Sequence, residues 1–465
     1  MLSSRKFYDL PPELLTAIAE ECTWGNADHH TSLGYLKALR LSHSHFAYLD
    51  YILQWMFCTL RFDADAYHIE QLAETNLRFI APFVTGVNLV TPLHSWTCTL
   101  QNFKSIVHSQ DPELCESFEE ADFRDGYKYY RNKALANQEY LRNQKSSFTR
   151  ATWTNAFRLL NNMHSIRFLD FPNTRPSLIK HLPDPLRCTI QPPWYYMSDV
   201  VRRMNAAPLG DALFELGMDS LTESDVCVET LGISCPMTGL FGWENFTNWE
   251  KFDLSSLRDF EFDPLATSFP SYGADGGLPK GEIAIAARAS DAISSVMKKC
   301  KDSLEIFKYG SYCPKIWPGD QVIPLPNLKE LSIENGYLEP KNAHRWLANM
   351  PSLDKLKFQF IGISSRPWRP RPYRDWLHVF DAIRNHPGAL QVWLWDIVVN
   401  PSEPESISHC TTDFEKYLQK DSSGVWQEKL QRSLALYLSG AIEVDDNIGF
   451  MFEKEYTQIS WGSHH

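Results

Sequence analysis

The chain lacks any run approaching the ~18 consecutive apolar residues of a membrane-spanning helix, and the opening Met1 to Leu10 has no apolar stretch behind its two basic residues. No membrane partner is therefore expected, and a cytoplasmic or nuclear location is. Closely paired cysteines are also missing. The ten are scattered singly, and even the nearest pair, Cys227 and Cys235, is too far apart for a zinc knuckle or a redox motif. Neither these thiols nor His43, His45 and His94 form a recognisable ligand set, so no metal and no cofactor are expected. An excess of basic charge is absent too: 45 Lys and Arg face 57 Asp and Glu, for a formal charge of −12. A surface that tracks phosphates needs Lys and Arg gathered on one face, so nucleic acid is not an expected partner. The chain also has no G-x-G-x-x-G, no Walker-type phosphate loop, no H-E-x-x-H and no G-x-S-x-G. Asp63-Ala-Asp65 is the nearest thing to a carboxylate pair and reads more simply as a solvated turn. No catalytic residue is expected.

What is present is enough apolar material for two or more folded domains. Of 465 residues, 43% are hydrophobic and a generous 13% aromatic, which argues against extensive disorder. Leu10-Pro11-Pro12-Glu13-Leu14 reads as a helix start, with prolines where no amide hydrogen is needed and Glu13 at the positive end of the dipole. Leu14, Ile18 and Cys22 then fall on one stripe. After a break from Trp24 to Thr31, Ser32 is placed to cap a second helix with Leu33, Leu36 and Leu39. Ser42 or Ser44 opens a third, carrying Phe46, Leu49 and Leu53 and closing on Trp55, Met56, Phe57 and Leu60. Helices this short leave apolar faces that a partner or the following domain must cover.

The order Leu10-Pro-x-Glu-Leu, Ile18, Leu36-x-x-Leu39-x-Leu41, Phe46 and Phe57-x-x-Leu60 resembles the F-box, over about the first eighth of the chain. The resemblance implies an orthogonal three-helix bundle that binds a Skp-type adaptor and, through it, a cullin scaffold. Position by position, it assigns the adaptor contact to Leu10, Pro11, Leu14, Ile18, Leu36 and Leu39. The break from Trp24 to Thr31 is longer than in compact family members.

Beyond residue 62 an L-x-x-L-x-L spacing recurs, most clearly at Leu304/Phe307/Tyr309, Leu328/Leu331/Ile333 and Leu353/Leu356/Phe358. The 24- and 25-residue steps between their starts match leucine-rich repeats. Looser copies are Val84/Val87/Leu89, Ile166/Leu169/Phe171, Leu213/Leu216/Met218, Leu257/Phe260/Phe262 and Leu390/Trp393/Trp395. Amphipathic stretches at 151–163, 290–300 and 341–350 supply helices between them. The region is similar to the degenerate leucine-rich repeats that follow F-boxes in many fungal proteins, although Gly336 and Ile361 stand where ordinary repeats place a ladder Asn or Cys. A compact α/β domain with look-alike strands remains the competing architecture.

The expected fold class is thus α+β to α/β: an F-box over 1–62, a helical linker and first irregular repeat over 63–150, a repeat-like recognition domain over 151–400, and a C-terminal helical cap and tail over 401–465. The repeat domain is expected to be an irregular α/β solenoid with parallel strands on its concave side. Positions between the apolar triplets, among them Arg258, Asp259, Glu261, Lys329, Glu330, Ser332, Asp354, Lys355 and Lys357, should line that sheet as a mixed-charge face. A proline-stiffened stretch holding Arg366, Trp368, Arg369, Arg371, Tyr373 and Arg374 is a second candidate for target contact, since Arg forks carboxylate or phosphate oxygens. The implied function is substrate recognition for a Skp–cullin–F-box ubiquitin ligase. The alternative is an F-box and repeat scaffold that never enters a ligase. A protein target is expected under either reading.

Overall fold

The computed structural model describes residues 11–23, 29–42, 44–92, 99–110, 118–170, 198–237, 249–263, 265–266, 293–316, 322–338, 340–366, 369–370, 374–388, 390–398, 406–411 and 437–438. Four helices come first: α1 (Pro12–Glu21), α2 (His29–Ser42), α3 (Ser44–Ala47) and α4 (Asp50–Phe57). The single third helix expected from Ser44 onward is divided, because Leu49 is extended at φ −70° and ψ 120° and the chain restarts at Asp50. Leu15, Ala19, Leu36, Phe46 and Ile52 form a small buried core of their own, separate from the main one. The α1 stripe is also rotated from expectation. Leu15 and Ala19 point inward while Leu14 is 51% exposed, since α1 buries the face that meets α2 and α4.

One residue, Cys58, separates α4 from β1 (Thr59–Asp63), the first strand of the main sheet. There follow α5 (Ala66–Glu74), β2 (Gly86–Val90), α6 (Leu100–Gln110), α7 (Glu120–Leu141), α8 (Ser146–Leu159), β3 (Ser165–Leu169), α9 (Ser198–Ser224), β4 (Thr230–Ser234) and β5 (Pro236–Met237). The remainder comprises β6 (Asp259–Phe262), β7 (Leu265–Ala266), helical residues 293–300, β8 (Ile306–Ile316), β9 (Glu330–Leu338), α10 (Pro340–Ala348), β10 (Lys355–Arg366), β11 (Arg369–Pro370), α11 (Arg374–Arg384), β12 (Gln391–Val398) and β13 (Ser406–Thr411). The main sheet runs β1-β2-β3-β4-β6-β8-β9-β10-β12-β13, so its strands follow chain order. Its first nine are parallel, β13 is antiparallel to β12, and β11 pairs antiparallel with β10; β5 and β7 form a separate pair. The class is α/β.

Register explains the core. Phe62, Leu89, Phe168, Ile233, Phe262, Tyr309, Ile333, Phe358 and Leu394 stand side by side across nine strands. Two residues earlier runs a second row, from Leu60 through Val87, Ile166, Leu231, Phe260, Phe307, Leu331 and Leu356 to Val392. Because strand side chains alternate, both rows lie on one face, where they meet Trp153 and Phe157 of α8, Leu213 and Phe214 of α9, Val296, Trp346 and Phe380. Aromatic neighbours stack along the rows, with Phe260 and Phe307 centroids 5.5 Å apart. Each such fully buried side chain contributes about 1.5–3 kcal/mol, so the rows outweigh any single surface contact.

A short turn precedes five of the nine parallel strands. The amide of Val84, Met163, Leu257, Leu328 or Leu353 donates to the carbonyl three residues back, on Ala81, Leu160, Leu254, Leu325 or Met350. Those residues are buried as well, so the recurring unit is longer than the triplets expected from sequence. Three triplets need correction. Leu213/Leu216/Met218 lies inside α9, and the adjoining strand buries Leu231 and Ile233 instead. At β3 the buried set is Met163/Ile166/Phe168, and at β12 it is Val392 and Leu394, each displaced from the expected set. Gly336 and Ile361 face each other in a continuing ladder, so β9 and β10 extend through the positions where ordinary repeats place the ladder residue. The proline-rich stretch 181–193 and most of the expected C-terminal helices lie outside the described residues. Tyr437 and Leu438, which are described, are buried in the main core.

Candidate functional site

The amino-terminal module presents the first candidate surface. Pro11 is extended at φ −62°, and its carbonyl accepts the amides of Leu14 and Leu15 at 3.0 and 3.2 Å, so the paired prolines begin α1 without sacrificing a hydrogen bond. Thr23 and Tyr51 hydroxyls meet at 2.7 Å and tie the end of α1 to α4. Of the residues expected to touch an adaptor, Pro11 and Leu14 are exposed, and Ile18 and Leu39 sit half-buried against the module's core. Leu36 is wholly internal, and Leu10 lies outside the described residues. Tyr35 and Tyr48, which sequence reasoning missed, are exposed, as is Leu41 at 88%, which belongs to the F-box-like motif but is not among the residues assigned to the contact. Tyr48 meets Phe79 edge-on at 6.0 Å, which joins the module to the turn beyond α5.

The second surface is the face of the sheet opposite the buried rows. Its central row reads Arg61, Asn88, Arg167, Gly232, Glu261, Lys308, Ser332, Lys357 and Trp393. Asp259, Glu330 and Lys355 belong to the row before it. Arg167 crosses β4 to reach Glu261 on β6 at 2.9 Å. Gly232 permits the crossing, since a Cβ there would meet Arg167 Cγ at 2.9 Å. Lys355 Nζ stands 4.0 Å from Glu330. Burial is the main cause raising the Asp259 carboxyl above its ordinary value; Lys308 and Arg167 oppose the shift, and Glu261 and Glu330 add to it. Its Oδ1 is buried without a hydrogen-bond partner among the described residues.

Arg258, Lys329 and Asp354, expected on this same face, form a separate ridge at the strand entrances. Each carbonyl of Glu229, Arg258, Glu305, Lys329 and Asp354 accepts an amide from the next unit at 2.7–2.9 Å. The side chains along that ridge alternate in sign. Glu305 takes Lys329 at 2.6 Å and stands 3.9 Å from Arg258, and the Lys329 hydrogen bond holds the Glu305 carboxyl below its ordinary value. The ridge is largely self-neutralised and stabilises stacking more than it offers charge to a partner.

The arginine-rich stretch is only partly described. Arg366 ends β10 and pairs with Arg369 of β11, and Arg374 begins α11; residues 367–368 and 371–373, including Trp368, Arg371 and Tyr373, lie outside the described residues. Asp63 accepts from Arg61, while Asp65 caps α5 by accepting the His68 amide at 3.0 Å, so both carboxylates of Asp63-Ala-Asp65 have local structural partners. Among the described residues no cluster of three or more His, Cys, Asp or Glu is placed to hold a metal, and no helix is long and apolar enough to cross a membrane. No protein-family model matches the chain, and no curated protein matches it either.

Proposed function

We propose that this chain is the substrate-recognition subunit of a Skp–cullin–F-box ubiquitin ligase. In this reading the helices that end at Phe57, within the expected 1–62, act as an F-box, and the sheet region from Thr59 onward acts as an irregular leucine-rich-repeat-like solenoid. The observation that carries the proposal is a helical module with its own core that nevertheless leaves Leu14 and Leu41 outside, next to a sheet whose strands follow chain order and turn a polar face away from the core. The chain acts by positioning: the module anchors to the adaptor and cullin scaffold, and the sheet region holds a protein target near a ubiquitin-charged enzyme. No residue of the chain touches the reacting bond, and neither metal nor cofactor takes part. The arginines at 366, 369, 371 and 374 add a contact for acidic groups of the target.

Co-purification of the full chain with a Skp-type adaptor tests this. Leu14→Asp/Leu41→Asp changes two exposed side chains and leaves the module's core intact. If each leucine contributes ~1.5–3 kcal/mol on burial, losing both weakens capture by more than about a hundredfold. Wild type is expected to retain the adaptor and the double variant to lose it. Failure of folded wild type to bind, or undiminished binding by the variant, refutes the proposal.

A further inference from the structure

On the polar face, charge is sorted by strand. Among the described side chains, the carboxylates Asp259, Glu261, Asp263, Glu330 and Glu334 stand over β6–β9, against Lys308 of β8 and Arg167, which reaches in from β3. On β10 the same positions are Lys355, Lys357 and Gln359, and on β12 Gln391 and the half-buried Trp393 follow, with no carboxylate among them. Exposure is retained on both sides: the Glu261, Glu330 and Lys355 side chains keep 27%, 33% and 52% of theirs. Asp263 lies over Gly310 of β8, where a Cβ would come within 2.8 Å of its carboxyl carbon, so it belongs to this face and not to a loop beyond it.

We propose that this face takes a protein segment of opposed charge, laid across the strands with cationic side chains over β6–β9 and anionic side chains over β10. The inference rests on reading the chain as a receptor for a protein target, and it names that target's chemistry. A uniform polyanion meets the carboxylates of β6–β9, and a uniform polycation meets Lys355 and Lys357. Only a segment carrying both signs is attracted along its whole length. Three strand spacings separate β6 from β10, about 14 Å, which an extended segment crosses in about four residues. Trp393 at the basic end adds an aromatic anchor.

The test is panning of the full-length chain against phage-displayed random peptides of about twelve residues, long enough to span ~14 Å. Enriched peptides are expected to carry a Lys/Arg block and an Asp/Glu block about four residues apart. Measured by fluorescence polarisation, the best of them should bind Lys355→Glu/Lys357→Glu at least about tenfold more weakly. Replacing the peptide's acidic block with lysines should restore binding to that variant. The two lysines are exposed, so an unchanged melting temperature serves as the fold control. No enrichment, enrichment of one charge sign alone, or affinity indifferent to the variant overturns the proposal. Adaptor capture depends on the helical module, so a failed panning with intact capture sinks this inference alone, and lost capture with successful panning sinks only the ligase reading.

Discussion

Gly217 sits in α9 where helix propensity and packing demand opposite things. Glycine inside a helix costs about 1 kcal/mol relative to alanine, so on local grounds Gly217→Ala should stabilise the protein. Packing opposes that. A Cβ at this position would stand 2.5 Å from Phe168 Cε1, 2.7 Å from Leu89 Cδ1 and 2.9 Å from Phe168 Cζ. Those two side chains belong to the buried row across β2 and β3, and Phe168 is held in place by Phe214 at 4.8 Å between centroids. Neither can withdraw without disturbing its neighbours. Overpacking of this kind costs about 1–3 kcal/mol, so the net effect of Gly217→Ala is destabilisation of up to ~2 kcal/mol. Gly217→Val, bulkier and β-branched, should cost about 2–4 kcal/mol. Urea unfolding followed by tryptophan fluorescence reads the midpoint, and the m-value should stay unchanged. Leu89→Ala alone should cost ~2–5 kcal/mol, but in that background Gly217→Ala should become neutral or stabilising, with a coupling of about 1 kcal/mol or more. If Gly217→Ala stabilises the otherwise unaltered chain, or adds independently to Leu89→Ala, the close approach of α9 to the sheet is refuted.

Two further outcomes concern titrating groups outside the candidate surfaces. Asp65 caps α5 and bonds the His68 ring, and that bond is the main cause raising the His68 pKa above 6.5. Asp65→Ala should cost about 1 kcal/mol by removing the cap. The His68 contribution is full below pH ~6.5 and fades as pH rises through the raised folded value, so NMR titration of Asp65→Asn should show the His68 midpoint falling. Tyr437 donates to Asp381 beneath the Arg384 guanidinium, and burial first, then Asp381, pushes its phenol up to about 12. That stability is complete below pH ~10 and is lost as pH climbs toward the folded value, whereas Tyr437→Phe should remove ~1–3 kcal/mol already at neutral pH. Equal urea midpoints for Tyr437→Phe and wild type would show that the contact contributes nothing.

Much of the sheet was legible because its signal is doubled. At Pro326-Asn327-Leu328 and Pro351-Ser352-Leu353 a turn residue precedes the apolar triplet, and the structure buries both triplets, Leu328 and Leu353 in the turns and the other members on strands that pair in register. At β3 the same spacing is met twice in overlapping windows, Met163/Ile166/Phe168 and Ile166/Leu169/Phe171, and spacing alone does not choose between them. The turn does: the Met163 amide bonds Leu160, itself buried, so extending the pattern three residues upstream finds the correct set. Leu213/Leu216/Met218 fits strand and helix spacing equally over so short a window, and the uninterrupted helical pattern around it decides. Phe57-x-x-Leu60 reads as the close of the helical module, yet Leu60 lies on the first strand, where Phe62 completes the same spacing.

The displacement at β12 bears directly on the candidate surface. Reading Leu390/Trp393/Trp395 as a buried triplet puts Trp393 in the core. In the observed register Val392 and Leu394 continue the buried rows, and Trp393 stands beside Lys357 on the other face. A one-residue shift along a strand exchanges its faces, so the two assignments cannot both hold any side chain in place. Volume explains which prevails. The neighbouring row positions are Leu356 and Phe358, and valine and leucine continue them with side chains no larger than those already packed there. An indole in the same row would have to displace them. The half-buried tryptophan instead stands at the Lys355/Lys357 end of the polar face. Sequence spacing, which treats every large apolar residue as a candidate for the interior, hides the aromatic side chain that the register places beside Lys357 on the polar face.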